Sequence, residues 1–79
     1  MPNGIPLTAV SVGQTGVVET IEGGRHLHDR LRALGIRPGS QITKISGAFW
    51  NGPIVVQHGR AQTALGNGIC QKIIVEVPG

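Results

Sequence analysis

The chain has 79 residues, a formal net charge of +3 at neutral pH, and 13 glycines beside a single Phe, a single Trp and no Tyr. That length holds one hydrophobic core and excludes a second domain. Seven Lys and Arg against four acids is a mild excess, which permits an anionic partner without requiring one.

A domain this small is stable by about 5 kcal/mol or slightly more. Cys70 is alone, so no internal disulfide framework exists, and a single thiol suits a reducing compartment. Its expected role is that of a small buried hydrophobe. The N-terminus lacks the basic start and apolar run of a signal peptide, and no stretch approaches the ~20 apolar residues of a membrane span. The expectation is a soluble cytoplasmic protein.

Residues 1–6, with two Pro and a Gly, read as a loose tail of a single domain spanning 1–79. Leu7 to Val12 is a short apolar segment that offers Leu7, Val10 and Val12 to the core. Gly13-Gln14-Thr15-Gly16 reads as a turn. Val17 to Glu22 reads as a strand, with Val17, Glu19 and Ile21 on one face and Val18, Thr20 and Glu22 on the other.

Gly23 to Gly39 carries the one clear helical pattern. Leu27, Leu31 and Leu34 recur at i, i+4 and i+7, predicting a helix over about 25–34 with these three leucines facing inward. Gly35 is placed for a left-handed cap, Ile36 closes the same apolar cluster, and Pro38 prevents continuation. The outer face carries Arg25, Asp29 and Arg32; an ion pair there adds only ~0.3–0.5 kcal/mol.

Arg37-Pro38-Gly39 reads as a turn and Gln41 to Ser46 as a strand. Ile42 and Ile45 fall on opposite faces of that strand unless a bulge intervenes or both faces are covered. Gly47 to Pro53 is the longest loop and carries Phe49 and Trp50. Ile54 to Gln57 is a strong strand, His58-Gly59 fits the centre of a tight hairpin, and Arg60 to Leu65 returns. Gly66-Asn67-Gly68 breaks the chain, residues 69–72 suit a single helical turn, and Ile73 to Val77 is the last strand. About five short strands and one helix predict a mainly β fold, a small partly open barrel with the helix over one side or end.

Leu7, Gly13, Gly16-x-Val18, Leu27 with Leu31, and then Leu34-Gly35-Ile36-x-Pro38-Gly39 form a pattern. Gly52-Pro53, Ala64-Leu65-Gly66, Ile73 and Val75 extend it over nearly the whole chain. The pattern resembles the FeoA family, and the helix exit together with Ala-Leu-Gly is its most specific part. The resemblance implies an SH3-like barrel and a small cytoplasmic accessory of bacterial ferrous iron uptake. It implies action by contact with the membrane transporter FeoB, which carries a GTP-binding domain. The same module forms the C-terminal domain of DtxR-type repressors, so a stand-alone regulatory domain is the related alternative. His26 and His28 match no fixed motif of the family, and Phe49-Trp50 sits in a variable part of its pattern.

Candidate metal ligands are His26, His28, His58, Cys70, Asp29 and the three Glu. On a helix His26 and His28 diverge by about 200° and cannot chelate together. No Cys-x-x-Cys or His-x-x-x-His spacing is present. We expect no stoichiometric ferrous iron site, and at most a weak zinc contact between molecules. Ser11, Ser40, Ser46 and Cys70 lack a nucleophile motif, and Gly66-x-Gly68 lacks the lysine and context of a phosphate loop. The expectation is therefore a non-enzyme without a cofactor.

An SH3-like nucleic-acid-binding module is the rival class. Its arginines and lysines would interleave with stacking aromatics, whereas here they are spread along the chain. A protein-binding module remains, with two candidate surfaces. One is the outer face formed by Arg25, Arg32 and Arg37. The other is Phe49-Trp50, which either folds over an open end of the barrel or stands exposed as an anchor. Weak self-association is a further candidate contact.

Overall fold

The computed structural model describes residues 4–47 and 52–78. Among these residues six strands form one antiparallel sheet: β1 (Ile5–Pro6), β2 (Thr15–Ile21), β3 (Gln41–Gly47), β4 (Ile54–His58), β5 (Ala61–Leu65) and β6 (Ile73–Glu76). Their spatial order is β1-β6-β2-β3-β4-β5. The sheet curls into a mainly β barrel that is not fully closed. A 3₁₀ turn spans Leu7–Ala9, helix α1 spans Arg25–Ala33, and a one-turn helix α2 spans Asn67–Cys70.

Among the described residues the core is aliphatic apart from Cys70. Leu7, Val18, Leu31, Ile36, Ile42, Val56, Cys70, Ile73 and Val75 are all fully buried. Strict alternation supplies it on β4, where Ile54, Val56 and His58 face inward, and on β6, where Ile73 and Val75 do. On β2 alternation fails. The pairing with β6 slips between Val18 and Thr20, so Val18 and Ile21, three residues apart, are both buried. The bulge absorbs one residue and returns the strand to the same face. The expected division of β2 into two alternating faces is thus corrected. Gly16 permits the close approach of β2 to β6, since a Cβ there would stand 2.8 Å from the Glu76 carbonyl oxygen.

A second bulge lies on β3 between Lys44 and Ser46. Ahead of it Ile42 and Lys44, two residues apart, are both buried by ordinary alternation, and Ile45 lies at the surface.

Other boundaries also move. Residues 5 and 6 are not a loose tail: Ile5 pairs with Val75 and Pro6 with Ile74, which makes a sixth strand. Thr15 and Gly16 belong to β2, and the turn before it is closed by the Gln14 N–H on the Ser11 carbonyl. Val12 is exposed rather than in the core. The hairpin turn is Gly59-Arg60, because His58 pairs with Ala61 as the last rung of β4. The second helical turn begins at Asn67, two residues before its expected start.

Candidate partner-binding surface

Helix α1 holds the predicted arginines. Leu31 is buried and Leu27 half-buried, which fixes the inner side. Arg25, Asp29 and Arg32 lie on the opposite side and are exposed. Arg30, on the flank, is exposed as well. The helix starts at Gly24 with no side-chain cap and no acid in its first turn. Arg25 therefore sits where the helix dipole disfavours a cation, while Arg30 and Arg32 in the last turn are favoured by it.

The exit is a Schellman motif. The Ile36 N–H bonds to the Leu31 carbonyl at 2.8 Å and the Gly35 N–H to the Arg32 carbonyl at 2.9 Å. Gly35 adopts φ +89°, and Leu31 and Ile36 meet in the core. Leu34 is the cap residue, and its side chain does not follow the inner stripe. It is 43% exposed, contrary to its expected place in the core.

Arg37-Pro38-Gly39-Ser40 then forms a type II turn, closed by the Ser40 N–H on the Arg37 carbonyl at 2.9 Å, with Gly39 at φ +95°. The Ser40 hydroxyl accepts from the Arg37 N–H and donates to the Gly35 carbonyl. Val18 and the turn exchange two further bonds, Gly39 N–H to Val18 O and Val18 N–H to Ser40 O, each 2.8 Å. Arg37 thus projects from a turn locked to β2. Arg25 and Arg32 are carried by the helix and Arg37 by the hydrogen-bonded turn. Phe49 and Trp50, the other predicted contact, lie outside the described residues.

Two buried polar residues escaped the sequence reading. Lys44 is 7% exposed, and its ammonium donates to the carbonyls of Val10 and Thr8. Its i+2 spacing from Ile42 was the available signal. His58 is 8% exposed; its Nε2 lies 2.8 Å from the Thr63 hydroxyl and its Nδ1 faces Gly35. Cys70 is buried, with its thiol 3.8 Å from the Leu65 carbonyl. Burial pushes that thiol up from 9.0 to about 11, an effect that nearby Lys44 partly offsets.

His26 is exposed and His28 half-buried. Among the described residues no group of three or more His, Cys, Asp or Glu could hold a metal ion. An open depression is lined by Val17, Glu76 and Pro78, which supply one carboxylate and no nucleophile. No described helix is long and apolar enough to cross a membrane.

A family model described as FeoA domain matches residues 5–77. A Methanocaldococcus jannaschii protein, named as a candidate Fe(2+) transport protein A, is 32% identical over 71 residues, which are 90% of this chain and 84% of that one. A crystal structure of an iron uptake regulatory protein (FeoA) superposes with a TM-score of 0.85 at 28% identity, covering 95% of this chain and 97% of the other. A manganese-dependent transcriptional repressor superposes with a TM-score of 0.90 at 25% identity; 99% of this chain matches 44% of the repressor. The common fold is SH3-like.

Proposed function

The chain belongs to the FeoA family, and on that footing we propose that it is a cytoplasmic, non-catalytic accessory of ferrous iron transport that binds the soluble domain of a FeoB-type transporter. The observation that carries the reading is the exposed arginine array on helix α1 and the turn after it. Arg25 and Arg32 share the outer side of α1, and Arg37 leaves the locked turn just beyond it. Arg25 stands at a helix N-terminus, where a cation weakens the helix. An acidic partner surface would compensate it.

Acidic patches meeting such an array accelerate association and give it salt dependence. The test is calorimetry of the intact chain with the GTP-binding domain of its cognate FeoB-type transporter, with and without guanine nucleotide. The expected result is binding that weakens as salt rises. Arg25→Glu, Arg32→Glu and Arg37→Glu together should weaken it by at least about tenfold, a loss of about 1.4 kcal/mol or more. Absence of binding in both nucleotide states would overturn the reading.

The superposition on the manganese-dependent repressor favours a second reading, a stand-alone regulatory domain. Binding to a repressor core rather than to the transporter domain would select it. A mobility shift with RNA, steep in salt, would select the nucleic-acid class instead.

A further inference from the structure

Strand β5 is one edge of the sheet. It pairs with β4 at all five residues and without a bulge, from His58 with Ala61 to Ile54 with Leu65. The two-residue turn makes His58 and Ala61 a hydrogen-bonded pair, and the pattern alternates from there. Ala61, Thr63 and Leu65 therefore aim their backbone groups at β4, while Gln62 and Ala64 aim theirs away from the sheet. Both residues are exposed. Among the described residues no turn, loop or side chain offers these outward groups a hydrogen bond.

Folded proteins guard a free edge with a very short strand, a proline, a charge or a bulge. The opposite edge, β1, has two such guards: it is two residues long and ends in Pro6. β5 reads Ala-Gln-Thr-Ala-Leu and has none of them.

We propose that β5 is a self-association edge, on which a second copy of the chain adds its own β5 antiparallel about a two-fold axis at Thr63. In that register Gln62 stands opposite the second copy's Ala64, and Ala64 opposite its Gln62. Each outward N–H then meets an outward C=O. Arg60 falls opposite Gly66, so no like charges meet. A register slipped by two residues either way sets an outward-facing residue against Arg60 or Gly66 instead. A two-fold contact requires that residue i meet j while j meets i. A second copy of the chain fits this edge with every outward group used and no like charges opposed. The proposal uses none of the arginines assigned to the transporter surface.

The test is sedimentation of the intact chain from about 10 μM to about 1 mM, the range in which weak contacts dissociate, joined to residue-resolved amide exchange. Ala64→Pro removes one outward N–H and leaves the β4 ladder intact, a change that an edge strand tolerates. The expected mass rises with concentration towards a dimer, exchange slows at Gln62 and Ala64, and Ala64→Pro stays monomeric. Should that variant not fold, exchange in the wild-type chain decides alone. A monomer throughout, association unchanged by Ala64→Pro, or growth beyond a dimer would each overturn the proposal. So would slowing at Gln62 and Ala64 that appears only when the transporter domain is added.

Discussion

The Lys44 ammonium donates a 2.7 Å hydrogen bond to the Val10 carbonyl oxygen and a second, of 3.2 Å, to Thr8. These bonds tie β3 to the segment that follows β1, thirty-four and thirty-six residues away in the chain. A buried charge is tolerated only when it is solvated by protein, and two backbone carbonyls serve that purpose here.

Lys44→Met keeps the length of the side chain and leaves both carbonyls without this donor. We expect a stability loss of about 2–3 kcal/mol, since hydrogen bonds to a charged group count for more than neutral ones. Urea unfolding measures it. A loss below about 0.5 kcal/mol would mean that water solvates these carbonyls equally well.

Leu31 and Leu34 make a sharper pair than their spacing suggests. Leu31 is 1% exposed and Leu34 is 43% exposed. Leu31→Ala should cost about 2–5 kcal/mol and leave the chain largely unfolded at 37 °C. Leu34→Ala should stay within about 0.5 kcal/mol of wild type, the usual range for a surface site. Two thermal melts decide this, and similar midpoints would contradict the structure.

The Cys70 thiol gives a pH dependence with a definite sign. Its value lies at about 11 in the folded chain against an ordinary 9.0. Below pH 9 both states hold the proton and the thiol adds no pH dependence. Between pH 9 and about 11 the unfolded chain loses the proton first, so stability falls as pH rises, by at most about 1.4 kcal/mol per pH unit. Unfolding midpoints of wild type and Cys70→Ala across pH 8–11 should diverge in that window alone. At pH 8 alkylation of Cys70 should be slow in the native chain and fast in urea.

What could be read from the sequence was what local chemistry determines. The helix, its glycine cap and the Pro-Gly turn are written in spacings of a few residues, and each lies where those spacings put it. Leu34 departs from the apolar stripe because the backbone turns at the cap, where Ile36 takes over the burial. The hairpin was displaced by one residue because Gly59 fits either central position of a tight turn; the pairing of His58 with Ala61 selects the first. β1 was invisible because its partner, β6, lies some seventy residues away and the pairing uses backbone alone. Lys44 was missed because a lysine reads as surface, although its spacing from Ile42 placed it on the inner face. At the site, the three arginines were legible as exposed helix and turn positions, while the exposure of Leu34 depended on the cap.

The pairing of Ile5 with Val75 has an architectural consequence. Because β1 and β6 are antiparallel, the backbone comes into the barrel and departs from it at neighbouring points on one rim. A unit of this kind can be spliced into or appended to a longer polypeptide through a single attachment point, with its core undivided. The same geometry suits circular permutation, with a short linker joining residues 5 and 75 and new ends opened at Gly59-Arg60.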